Sequence, residues 1–143
     1  MTDMTKWDKK DEWHRRGKDF LVVVKRHSVA PSSYSQYEGV HRWTMYTYIY
    51  PTHRLFGAFS GPDMWQPAAV DLQMHGGPSL LRWHTDNDGK PCSVQVGADY
   101  NHLHDEHFTN YAIPEHADEV FSDADRLFQH LAADVEVLAV CAA

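Results

Sequence analysis

The first long apolar stretch, "DFLVVVKRHSV" from Asp19 to Val29, is rich in β-branched residues. Their crowded Cβ atoms suit a pleated backbone better than a helix, so the segment predicts a buried strand. The Ser- and Pro-rich "APSSYSQYEG" after it predicts a loop. In "HRWTMYTYIYP" the pattern becomes strict alternation, with Trp43, Met45, Thr47 and Ile49 on one face and Thr44, Tyr46, Tyr48 and Tyr50 on the other. Pro51, which has no N–H for a ladder, stops that strand. From His53 to Leu72 the chain is broken by Gly57, Gly61, Pro62 and Pro67, which leaves loops with one or two short helical turns.

"HGGPS" then turns the chain into "LLRWHT", and "DNDGK" is a strong turn signal before "CSVQVGA", so these two segments form an antiparallel hairpin. In "EHADEVFSDADRLFQHLA" the period changes again: Val120, Phe121, Ala124, Leu127, Phe128 and Leu131 recur at helical spacing and predict an amphipathic helix lying on a sheet. Residues 1–18 are polar, with Trp7 and Trp13 six apart, and read as a frayed arm or short amphipathic helix. The expectation is an α+β fold of about four antiparallel strands packed by a C-terminal helix. It divides into a polar N-terminal arm over 1–18 and a single domain over 19–143.

Composition bounds this picture without redrawing it. A chain of 143 residues, 43% hydrophobic and 13% aromatic, is the size of one domain and can bury a real core. It contains no apolar run near the length of a membrane span, and the N-terminal twenty residues carry charges where a signal peptide needs its apolar region, so a soluble cytoplasmic protein is expected. Cys92 and Cys141 lie far apart in no metal or redox spacing, which suggests free thiols in a reducing compartment.

The net charge of −7 is unevenly spread. Residues 1–50 hold nine Lys/Arg against six Asp/Glu, whereas residues 51–143 hold four against fourteen. The basic part is too small, and too far from any nucleic-acid-binding motif, to support a nucleic-acid footprint. The acidic second half is the firmer feature, a surface that can repel nucleic acid, imitate it or engage a basic protein partner.

Two segments carry candidate chemistry. "MHGGPS" sets His75 before Gly76 and Gly77, residues that tolerate positive φ and let another group come close to the backbone, and exposed amides in such a turn can hold an anion. "GADYNHLHDEH" packs Asp99, His102, His104, Asp105, Glu106 and His107 into eleven residues. As a helix it puts Asp99, His102 and Glu106 on one face; as a strand it aligns Tyr100, His102, His104 and Glu106. Either arrangement supplies imidazole and carboxylate, the donors that suit Zn²⁺, Fe²⁺ or Mn²⁺, or an Asp–His general base. The competing reading is strand-end turn chemistry, in which Asp99 and Asp105 bond local amides. Asp118, Glu119, Asp123 and Asp125 form an acidic outer surface on the last helix. Tyr46, Tyr48 and Tyr50 read as a face packed under a helix rather than as a base-stacking platform.

The order of HGG turn, gap, and "VGADYNHLHD" before an apolar-periodic helix resembles a group of uncharacterised short phage- and prophage-encoded proteins. Those proteins have an HGG turn followed by a G-x-D-x-x-H-x-x-D segment. The matching positions are His75, Gly76, Gly77, Gly97, Asp99, His102 and Asp105, within a likeness running from about Trp43 to Leu131. The resemblance implies a phage or prophage origin, and so the cytoplasm of a bacterial host, and it implies joint importance of the two motifs without assigning a reaction.

The expected function is an accessory binding module. Its polar pocket comprises His75, Gly76, Gly77, Asp99, His102 and Asp105, and it takes a small anionic ligand or a divalent metal ion on His75, Asp99 and His102. The alternatives are an acidic inhibitor of a host or defence protein, and a metal-dependent hydrolase with Asp105 behind the ligands.

Overall fold

The computed structural model describes residues 10–31 and 37–133. Trp7, residues 32–36 of the Ser/Pro loop and Cys141 lie outside the described residues.

Strands β2 (Phe20–Ser28) and β3 (His41–Ile49) pair antiparallel, Phe20 opposite Ile49 and Ser28 opposite His41. Their alternation sends Phe20, Val22, Val24, Trp43, Met45 and Ile49 into one core. β4 (Leu80–Thr85) and β5 (Pro91–Asp99) form the hairpin expected of "DNDGK". There Asp86 accepts the amides of Asp88 and Lys90, both at 2.9 Å, and Gly89 supplies the positive φ of 79° that a side chain would resist. β5 also pairs with β3, and with β1 (Lys10–Arg16) on the other side of β2 the sheet order is β1-β2-β3-β5-β4. The 50–79 connection holds a 3₁₀ turn at Phe56–Ala58 and a one-turn helix, α1 (Pro67–Val70).

The C-terminal helix α2 (Asp118–Ala132) lays Val120, Ala124, Leu127 and Leu131 on the sheet. The carbonyls of its last turn, which have no partner within a helix, receive His53 Nε2 (to Leu131, 2.8 Å) and Arg54 Nη2 (to His130, 2.7 Å). No helix among the described residues is long and apolar enough to cross a membrane.

The sheet has five strands where the sequence pattern gave about four. The additional one, β1 (Lys10–Arg16), comes from the stretch read as an arm. It pairs along the outer edge of β2, from Lys10 opposite His27 to Arg16 opposite Leu21. Its only large apolar residue is Trp13, which stacks on Trp43 at 5.5 Å and meets the Phe121 ring edge-on at 5.5 Å. A charged edge strand with one inward aromatic has too little alternation to read as a strand, although charge on an edge is what keeps it from pairing with other chains. Its charges are held by neighbours: Asp11 by Arg26, Glu12 by Lys25 and Arg15 by Asp125.

Tyr46 and Tyr48 do not pack under a helix. α2 covers the opposite face of the sheet, because the Trp43, Met45 and Ile49 side is the more apolar of the two and repays burial more.

Candidate metal centre

The sheet order decides where the two sequence motifs meet. Leu80, at the start of β4, pairs with Gly97, and the Ser79 amide donates to the Gly97 carbonyl at 2.8 Å. His75, a few residues earlier, therefore arrives at the end of the sheet where β5 gives way to the His/Asp segment.

That segment is neither the helix nor the strand considered from sequence. Asp99 Oδ1 accepts the Asn101 amide at 3.1 Å, Asp105 Oδ2 accepts the His102 amide at 2.9 Å, and the Asp105 amide donates to the His102 carbonyl at 3.0 Å. The result is a reciprocally bonded turn that runs into a 3₁₀ turn over Glu106–Asn110. Turn chemistry and site chemistry thus use the same carboxylate.

Within this turn the Asp105 carboxylate is nearly buried, and both imidazoles converge on it. His75 Nε2 lies 3.0 and 2.9 Å from its two oxygens, and His102 Nδ1 lies 3.1 Å from Oδ2. One ligand atom from each of His75, His102 and Asp105 falls within a span of 4.8 Å. Burial alone would raise the Asp105 carboxyl, but the His102 amide and the two imidazoles outweigh it and hold it below its ordinary value.

Asp99 stands outside this triplet, 3.6 Å from the other nitrogen of His102. The two carboxylates therefore occupy different positions from those the sequence suggested: Asp105 lies between the imidazoles, and Asp99 lies behind one of them. A carboxylate behind a ligating histidine fixes its tautomer and orientation. His104 is exposed at a positive φ of 74° and is not part of the triplet.

The HGG turn carries the rings. Gly76 has φ 68°, and a Cβ built on it would lie 2.6 Å from His102 Cε1 and 2.9 Å from Nδ1. Gly77 has φ 83°, and a Cβ there would lie 2.8 Å from the Trp65 ring. Both glycines thus answer two needs at once, a left-handed backbone and an aromatic ring laid directly on it. The Gly77 amide is already bonded to the Met74 carbonyl at 2.9 Å, so the turn spends that donor internally rather than on an anion.

Several supporting contacts were not read from sequence. Tyr100 is fully buried and stacks on His75, with ring centroids 4.3 Å apart and planes 14° from parallel, while Phe108 meets His75 edge-on at 5.4 Å. The Tyr100 hydroxyl donates to Asp123 Oδ2 at 2.6 Å, and Arg126 bridges Asp123 Oδ1 and the Gln73 carbonyl, both at 3.3 Å. Burial, reinforced by the Asp123 carboxylate, raises the Tyr100 hydroxyl well above an ordinary phenol and keeps it a donor.

The acidic surface of α2 is consequently not uniform. Asp123 faces inward to Tyr100, and Asp125 pairs with Arg15 at 2.5 Å. The spacing did carry a signal, since Asp123 falls three residues after Val120 and four before Leu127, beside the buried stripe.

Comparison with family models, curated proteins and solved structures gives no match.

Proposed function

We propose that the chain is a binding module whose working site is a divalent transition-metal centre formed by His75 Nε2, His102 Nδ1 and an Asp105 oxygen. The observation that carries this reading is the convergence of two imidazole nitrogens, one brought from 30 residues away, on a single nearly buried carboxylate. Two neutral imidazoles and one carboxylate are the donor set of Zn²⁺, Fe²⁺ and Mn²⁺ sites, and three protein ligands leave coordination positions for water or an exogenous ligand.

An ion placed there takes over from the protons that the nitrogens otherwise share with Asp105. Asp99 steadies His102 from behind, Tyr100 backs His75, and Gly76 provides the surface on which His102 rests. A small anion suits the triplet less well, because the Asp105 carboxylate stands where the anion's charge would go. In a phage- or prophage-encoded accessory protein, the setting that the two motifs resemble, such a centre would bind or position a partner group.

The test is elemental analysis of protein purified without chelator, followed by Zn²⁺ and Mn²⁺ titration. Near-stoichiometric metal is expected, lost in His75→Ala, His102→Ala and Asp105→Ala and retained in His104→Ala. Absence of metal, together with thermal stability that Zn²⁺, Mn²⁺ and chelator all leave unchanged, would overturn the proposal.

A further inference from the structure

His75 is fixed from two directions, and both lead to α2. Its ring lies on Tyr100, whose hydroxyl bonds Asp123 Oδ2. Its backbone follows from Gln73, whose carbonyl accepts Arg126 Nη2, the same nitrogen that serves Asp123 Oδ1. One guanidinium nitrogen carries two N–H groups, so the two bonds stand together. The contacts close a ring that passes from His75 through Tyr100, Asp123 and Arg126 to Gln73, and along the chain back to His75.

Gln73 is the strained member of this ring. Its φ of 55° lies in the left-handed region, which a Cβ makes about 5–30-fold less populated than the right-handed one. A glycine would adopt it freely, but the residue is glutamine. Its exposed side chain makes no hydrogen bond among the described residues and so does not offset the strain. The conformation is held through the backbone instead. The Gln73 amide donates to the Val70 carbonyl at 3.0 Å, within the turn that ends α1, and the carbonyl accepts Arg126 at 3.3 Å. Arg126 is thus the hold that comes from another element, and strain of this kind persists only where the surroundings impose it.

We infer that Arg126, steadied by Asp123, is a positioning residue of the metal centre: it keeps Gln73 left-handed and so aims the chain that brings His75 to His102 and Asp105. The consequence for metal rests on the reading of the triplet as a metal site, whereas the effect on His75 does not.

The experiment compares Arg126→Ala, Gln73→Gly and the double variant by two readouts. In chelator, the NMR shifts of the His75 ring protons, which lie over the face of Tyr100, report position without metal; competitive Zn²⁺ titration reports affinity. Arg126→Ala should move the His75 shifts toward those of an unstacked histidine and weaken Zn²⁺ by about tenfold, the lower end of the effect of removing support behind a ligand. Adding Gln73→Gly should bring the shifts back and return the affinity to within about twofold of the parent, because glycine takes positive φ about as readily as negative. Gln73→Gly alone should match the parent within the same margin. A merely structural role for Arg126 gives no rescue by the loss of a second side chain. Parental His75 shifts in Arg126→Ala would overturn the inference, as would a double variant no better than Arg126→Ala. Failure of the metal reading looks different: a parent that takes up no Zn²⁺ overturns that reading, while the shifts in chelator still decide whether Arg126 positions His75.

Discussion

Replacing Gly76 by alanine adds one methyl group, and the structure separates its consequences into two parts. The first is backbone strain: at φ 68° a Cβ costs about 1–2 kcal/mol. The second is contact. The new Cβ would stand 2.6 Å from His102 Cε1, against an ordinary carbon separation of roughly 3.5 Å, so the ring must retreat by about 1 Å.

His102 can move, being 37% exposed, so the displacement is relieved by loosening its bond to Asp105 rather than by disturbing the core. That loosening adds about 1 kcal/mol after allowance for solvent screening. A metal centre tolerates ligand displacements of only about 0.2 Å, so metal affinity should fall by about 10–100-fold.

Gly89→Ala is the matched control. Its φ is 79°, and nothing lies within 4 Å of the added Cβ, so it carries the strain without the contact. Urea unfolding in chelator should therefore place Gly76→Ala about 1 kcal/mol below Gly89→Ala, a melting difference of roughly 3–4 °C, while competitive Zn²⁺ titration shows an affinity loss only for Gly76→Ala. Equal destabilisation of the two variants, with parental Zn²⁺ affinity in both, would refute the assignment of Gly76 as the seat of His102.

Two further outcomes follow from the bonds around the cluster. Because the Asp105 carboxyl is held below its unfolded value, the stability it contributes is present above about pH 4 and is lost as pH falls through its lower folded value. The stability gap between the parent and Asp105→Asn, about 1–3 kcal/mol at neutral pH in chelator, should close on acidification, and a gap that persists at the acid limit would contradict this. Tyr100→Phe removes the donor to Asp123 and should cost about 1–3 kcal/mol by urea unfolding, whereas Asp118→Asn on the exposed start of α2 should stay within about 0.5 kcal/mol. Similar values for the two would show that α2 is not tied to the site through Tyr100.

How far these features could be read from the chain depended on whether the signal was periodic. The β2 and β3 patterns, the "DNDGK" hairpin and the α2 stripe each repeat a local preference several times, and the structure has those elements. β1 was missed because its alternation rests on Trp13 alone, and its charged positions look solvated whether or not they pair with β2. The side of the sheet that α2 would cover was decided by the summed apolar area of three strands, which no single strand displays.

The two site motifs were visible as residue types, but the roles of their carboxylates were not. Asp99 and Asp105 are equivalent as letters, and only the turn that bonds the His102 amide to Asp105 makes that carboxylate the one between the imidazoles. Tyr100 lies inside the motif, but its supporting role was not legible because its partner, Asp123, is 23 residues away on a helix.

The sheet order has a kinetic consequence. Strands β1, β2 and β3 form one local antiparallel meander and β4 and β5 one local hairpin, and among the described residues strand pairing joins these two units only along the seam from Thr44 opposite Asp99 to Ile49 opposite Val94. Each unit needs only short loops to close, whereas the seam must bring together positions 55 residues apart at its Thr44 end, so it closes later. Tyr100 leaves the hairpin at that end, its amide bonded to the Trp43 carbonyl at 3.0 Å, whereas His75 is brought beside it by the hairpin's own pairing of Ser79 and Leu80 with Gly97. The bond from the Tyr100 amide to the Trp43 carbonyl is therefore a late event in folding, and protection of that amide would time the joining of the two halves rather than the formation of either one.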